Sequence, residues 1–111
     1  MSERRQVPRV PVQIWVEEKT ERELYFQRSA NLSVGGIYLE NTIPHPLGTR
    51  VTLRFAIPGQ PEKVEVHAEV VGAIADDDEM GMGLKFLDLD PAHADRIQKY
   101  IAAHAGDSAS V

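Results

Sequence analysis

A chain of 111 residues with 42% hydrophobic side chains supports one core and one domain. The absence of cysteine excludes a disulfide scaffold, a thiol nucleophile, a thiolate-held iron–sulfur cluster and a cysteine-type zinc site. Twelve Lys and Arg against 17 Asp and Glu give a formal charge of −5, which opposes a nucleic-acid binder built on a broad basic face.

The signs are unevenly spread. Arg4, Arg5 and Arg9 against Glu3 leave the first nine residues at +2, so the remaining 102 carry −7. The leader MSERRQVPR has no apolar stretch behind it, so no secretory signal is expected and a cytoplasmic location is the expectation. No apolar run approaches the length of about 18 residues that a membrane-spanning helix needs.

Past the basic arm, Val10, Val12, Ile14 and Val16 alternate with polar positions and Trp15, which predicts a half-buried strand from Val10 to Glu17. Pro8 and Pro11 place its opening at an edge. A second strand is expected to point Leu24 and Phe26 inward and Tyr25 and Gln27 outward, fading toward Asn31. Ile37 and Leu39 face inward on a short third strand, and Asn41 to Gly48 is a loop. Val51, Leu53, Phe55 and Ile57 give the clearest alternation. The turn Pro58-Gly59-Gln60-Pro61 then leads into Val64, Val66, Ala68 and Val70, an antiparallel hairpin. After the acidic turn Asp76 to Glu79, the residues Met80, Met82, Leu84 and Phe86 alternate again.

Six short strands without crossover helices predict an all-β fold, a six-stranded antiparallel β-barrel or sandwich. The period then lengthens. Asp90 is a good N-cap and Pro91 suits the first helical position, opening a C-terminal α-helix. Ile97, Tyr100, Ile101 and His104 share one face of it, while Asp95, Arg96, Gln98 and Lys99 take the wet side. Gly106 is expected to end it. The organisation is therefore a basic arm over residues 1–9, a barrel with its helix over 10–104, and a loose tail over 105–111.

Two segments carry chemistry. In Asn31-Leu32-Ser33-Val34-Gly35-Gly36, paired glycines permit positive φ and a close backbone approach, and the small polar side chains present hydrogen-bonding groups. The alternative is a plain β-turn whose Asn31 and Ser33 satisfy local backbone. Arg5 and Arg9, with Arg4 before them, suit bidentate contacts to phosphate or to guanine O6 and N7; the alternative is a solvated leader. Arg28 either adds charge beside the Asn31 turn or is a surface residue. The four histidines share no face with carboxylates at ligand spacing, and Asp76-Asp77-Asp78 lacks the pattern of a calcium loop, so no metal site is expected. Nothing pairs a nucleophile with a base, so no enzyme is expected. Trp15 and Tyr25, placed on outward faces, are either covered by the helix or mark a partner surface.

Together the two segments resemble the PilZ domain family, bacterial receptors for cyclic di-GMP. The family's first motif, two arginines separated by three residues, is met by Arg5-Gln6-Val7-Pro8-Arg9. The second, Asp or Asn, any residue, Ser, two residues and Gly, is met by Asn31-Leu32-Ser33-Val34-Gly35-Gly36. The 21 residues between them fit a strand, a turn and a second strand. The segments Ile37-Tyr38-Leu39, Gly48-Thr49 and Gly81-Met82-Gly83-Leu84-Lys85-Phe86 resemble the family's later strands.

The resemblance implies a six-stranded PilZ-like barrel and a non-enzymatic cyclic di-GMP receptor without a cofactor. Arg5 and Arg9 would grip phosphates and guanine edges. Asn31 and Ser33 would hydrogen-bond the guanine nearest the barrel, with Gly35 and Gly36 forming the turn and Gly36 keeping it open. Gly83 would either let the ligand approach the wall or serve packing. Arg4, preceding the first motif, resembles receptors that take a stacked pair of ligands, so two molecules per chain are expected. The arm would order on binding and signal to a separate protein effector (motility machinery, a regulator or an exopolysaccharide system) or through a homodimer. No nucleic-acid partner or membrane insertion is implied. The alternative is a PilZ-like protein-interaction module with weak or lost nucleotide binding. Asn31 stands where the family often has Asp, and an amide offers one acceptor oxygen where a carboxylate offers two.

Overall fold

A computed structural model describes residues 9–109, with side chains described to residue 104. The chain forms β1 (Arg9–Pro11), β2 (Trp15–Lys19), β3 (Leu24–Ser33), β4 (Gly36–Glu40), β5 (Arg50–Ala56), β6 (Lys63–Ala75), β7 (Met80–Phe86) and α1 (Pro91–Ala109). Strand β3 pairs with β2, then β5, β6, β7 and β4 follow in turn, and β4 returns to β3. All pairings are antiparallel. Segments β1 and β2 lie end to end along the same edge of β3, through Asn31–Ser33 and Leu24–Arg28 respectively. Counted as one interrupted strand, they complete a closed six-stranded antiparallel barrel with one C-terminal helix.

The interruption at Val12-Gln13-Ile14 has a local cause. Buried Ser29 donates its hydroxyl to the Val12 carbonyl at 2.6 Å and accepts from the Ile14 N–H at 3.1 Å, standing in for ladder bonds. Directly after it, β3 carries an irregularity between Ser29 and Asn31, where pairing with β4 slips by one residue. A one-residue slip exchanges the two faces. Consequently Tyr25, Gln27 and Ser29 face inward on the first half and Leu32 on the second, and β3 runs on to Ser33. The expected sidedness of Leu24 and Phe26 is thus corrected: both are exposed, and half-buried Tyr25 belongs to the inner set.

Elsewhere the alternation holds. Val10, Val12, Val16, Leu53, Phe55, Val64, Met82 and Leu84 are buried, while Met80, past the end of the core, is exposed. The β5–β6 connection is a type II-like turn. Gln60 N–H bonds the Ile57 carbonyl at 2.9 Å with Pro58 second and Gly59 at φ 84° third. The acidic tip is an Asx turn, in which Asp76 Oδ1 accepts from the Asp78 and Glu79 N–H groups.

Asp90 caps α1 by accepting from the Ala92 N–H at 2.8 Å, and Ile97 and Ile101 are buried in the core. The helix packs against β1 and β3. Arg96, expected on the wet side, is half-buried and braces the helix to the β5–β6 connection through Gln60 Oε1 at 2.7 Å and the Glu62 carbonyl. The helix continues through Gly106 to Ala109, since one glycine in a helix interior costs only about 1 kcal/mol.

One inward position of β2 is charged. Glu18 is fully buried, accepting from Gln27 Nε2 at 2.9 Å, while its other oxygen lies 2.8 Å from His45 Nε2. That second approach is off the line a hydrogen bond needs, and neither atom has another partner among the described residues.

Candidate functional site

The register of β1 on β3 builds the site. Arg9 sits opposite Ser33 and Pro11 opposite Asn31, so the last arginine of the first segment meets the second segment across one ladder. Arg9 Nη1 donates to Asn31 Oδ1 at 2.7 Å on the outer surface. Arg4 and Arg5 lie outside the described residues.

Asn31 and Ser33 have different roles. Asn31 is half-buried and outward, its side chain met by Arg9. Ser33 is only 1% exposed, and its hydroxyl accepts from the Gly35 and Gly36 N–H groups at 3.2 and 3.1 Å. It donates to the Gly36 carbonyl at 3.3 Å, so one donor and two lone pairs are all engaged within the turn. Of the two readings of this segment, Ser33 takes the local-backbone one.

The glycines also separate. Neither Gly35 nor Gly36 has a positive φ; among the described residues only Gly48, Gly59 and Asn41 do. The close approach at Gly36 is by the barrel's own backbone. A β-carbon there would run into the Leu84 carbonyl oxygen, with Lys85 Cα at 3.4 Å, whereas one at Gly35 would meet only Ser33 Oγ at 3.9 Å. Gly36 lets β4 lie close against β7, and Gly35, exposed, accepts from the Phe86 N–H at 2.9 Å.

A row of cross-strand partners extends the surface from Pro11 through Asn31, Tyr38 and Gly83 to Gly72. Gly83 therefore shares the row of Asn31, two strands away, and a β-carbon there would come 4.0 Å from Tyr38 Cδ1. Tyr38 is the residue whose placement the sequence did not signal beyond its alternation. Its ring covers Gly81, where a β-carbon would collide with the phenol, and its hydroxyl donates to Glu79 Oε2 at 3.2 Å. Burial, the Glu79 hydrogen bond, and the charges of Glu79, Glu40 and Asp76 hold its pKa above the usual tyrosine value. The site is thus cationic at Arg9 and anionic beyond Tyr38.

Arg28 does not serve the turn. Its guanidinium carbon sits 5.3 Å from the Trp15 ring centroid, the surface alternative. No group of three or more His, Asp or Glu placed to hold a metal ion occurs among the described residues. No described helix is long and apolar enough to cross a membrane.

Residues 3–103 match the model of the PilZ domain family. The chain belongs to the PilZ domain family. Its fold is similar to the Bacillus subtilis inhibitor of motility MotI/DgrA, with a TM-score of 0.81 at 19% identity over 92% of this chain and 51% of that one. It is similar also to the PilZ domain of Escherichia coli YcgR with cyclic di-GMP, at TM-score 0.72, 17% identity and coverage of 95% and 94%. The Klebsiella pneumoniae MrkH–cyclic di-GMP complex gives TM-score 0.72 and 15% identity, over 95% of this chain and 53% of that one. The chain spans about half the length of MotI/DgrA and MrkH and nearly all of the YcgR domain. No match was found among curated protein sequences.

Proposed function

We propose that the chain is a non-enzymatic receptor for cyclic di-GMP, binding on the outer surface where β1 pairs with the end of β3. The observation that carries this reading is the 2.7 Å bond between Arg9 and Asn31, which joins the two family motifs at one point. Arg9 Nη1 and Asn31 Oδ1 are hydrogen-bond partners of one another. A guanine offers partners to both groups, because Arg9 donates to O6 and N7 on its Hoogsteen edge while Asn31 Oδ1 accepts from the ring or exocyclic N–H of its Watson–Crick edge.

Ser33 supports this from inside by fixing the turn, and Gly36 by seating it on β7. Arg5 reaches the phosphates, and Arg4 extends the site to a second, stacked nucleotide. Closure of the arginine arm over the ligand changes the surface offered to a separate effector protein, which is how a domain without chemistry transmits a signal. In MotI/DgrA the fold belongs to an inhibitor of motility, and a motility effector is the partner class this reading favours.

The test is amide NMR of the chain titrated with cyclic di-GMP. Shifts should concentrate at Arg9, Asn31, Gly35, Gly36 and Tyr38, with the Asn31 side-chain amide moving most. Shifts confined to the β2–β5 face, or none at ligand saturation of a control receptor, would overturn the assignment.

A further inference from the structure

Three large apolar side chains stand outside the barrel on β2 and the first half of β3. Trp15 and Phe26 are each 62% exposed and Leu24 53%. An exposed apolar side chain by itself calls for no explanation. These three are neighbours on two paired strands, with Trp15 opposite Arg28, Glu17 opposite Phe26 and Lys19 opposite Leu24. Trp15 and Phe26 line one cleft of about 400 Å3 together with Arg54, Ala56 and Lys63. The helix packs mainly on β1 and β3.

The charge around the patch is opposite in sign to that of the chain. The outer faces of β2, β3 and β5 carry Lys19, Arg28, Arg50 and Arg54 against Glu17 alone, on a chain of net charge −5. Glu17 is engaged by Lys63 of β6 at 3.4 Å. Glu65 of β6 lies opposite Arg54 in the ladder. Even so, neither Arg28 nor Arg54 forms an ion pair within 4 Å among the described residues. Arg28 is held in place over the Trp15 ring, which fixes a donor beside the cleft. Aromatic residues with arginine are the side chains enriched where proteins dock.

We infer that the outer face of β2, β3 and β5 around Trp15 and Phe26 is a docking surface for an acidic amphipathic segment of a partner protein. Apolar side chains of that segment enter the cleft, and its carboxylates meet Arg28 and Arg54. A second copy of this chain is a poor occupant, because an isologous contact sets this cationic face against itself. The surface is distinct from Asn31 and Arg9 and stands whether or not cyclic di-GMP binds.

Trp15 is the only tryptophan, so its emission reports on the cleft directly. The probes are two synthetic amphipathic peptides with the same Leu and Phe face, one bearing Glu and the other Lys on its polar face. The Glu peptide should shift Trp15 emission to the blue and bind at least about tenfold tighter than the Lys peptide, with an affinity that falls as salt rises. An Arg28→Glu, Arg54→Glu variant should reverse the preference, a gain that misfolding cannot mimic, and Phe26→Ser should weaken binding of both peptides. Equal binding of the two peptides, or an unchanged preference in the charge-reversed variant, would overturn the inference. So would a concentration-dependent dimer that shields Trp15 without peptide, or tighter binding to phosphatidylglycerol vesicles than to the Glu peptide.

Discussion

Gly35 and Gly36 are adjacent in the same motif, yet the structure assigns them opposite tolerances. In Gly36→Ala the new methyl overlaps the Leu84 carbonyl oxygen, with the Leu84 carbonyl carbon at 3.3 Å and Lys85 Cα at 3.4 Å. All three are backbone atoms of β7, so no rotamer change relieves the clash and β4 must move away from β7. Overpacking of this kind costs about 1–3 kcal/mol. Weakening the neighbouring ladder bonds, including Phe86 N–H to the Gly35 carbonyl at 2.9 Å, adds about 1 kcal/mol each. With that one bond the sum is about 2–4 kcal/mol, a large share of the roughly 5–15 kcal/mol that holds a domain together. In a domain of this size that lowers Tm by about 8–16 °C. In Gly35→Ala the methyl meets only Ser33 Oγ, at an ordinary contact distance of 3.9 Å, on a residue without positive φ. Loss of unfolded-state freedom then leaves stability unchanged or raised by up to about 1 kcal/mol. Thermal and urea denaturation of the two variants decide the matter. Equal losses, or a larger loss at Gly35, would refute the account of how β4 is seated.

Three further outcomes follow from named contacts. Ser33→Ala removes the acceptor for the buried Gly36 N–H and for the Gly35 N–H, and should cost about 2 kcal/mol in urea denaturation. Glu18→Ala leaves the Gln27 amide without its acceptor and opens space in the barrel, and should cost about 2–3 kcal/mol by the same measurement. The His67 ring, then the His67 backbone N–H, hold the Asp88 carboxyl below its ordinary value of 3.8. With the folded value below the unfolded one, the stability this pair supplies is present above about pH 4 and lost as pH falls through the folded value. Tm measured against pH should therefore fall less steeply in acid for Asp88→Asn than for the natural chain.

How much of this was legible in the sequence depended on whether one strand kept one register. In β5 and β7, alternation gave the sidedness of every inward residue but Met80, and Asp90-Pro91 marked the helix start through a cap the structure realises. Strand β3 defeated the same reasoning because its slip between Ser29 and Asn31 exchanges faces midway, a feature that depends on a tertiary hydrogen bond from Ser29 to Val12. Tyr25 and Gln27 turned inward for that reason, Glu18 follows Val16 on the inner face of β2, and polar inward residues leave no hydrophobic period to detect. Within the candidate site, Asn31 and Arg9 were singled out by their resemblance to the two family motifs, and their meeting follows from the register of β1 on β3. The division of labour between Asn31 and Ser33, or between Gly35 and Gly36, was not, because both pairs have the same composition-level meaning. Only burial and the position of the Leu84 carbonyl separate them.

The central claim is tested most directly by isothermal titration of cyclic di-GMP into the chain, alongside an Arg5→Ala, Arg9→Ala variant shown to remain folded. The account predicts binding at micromolar affinity or tighter, near two nucleotides per chain, and a loss of at least about a hundredfold in the variant. No binding by the natural chain, or equal binding by the variant, would contradict it.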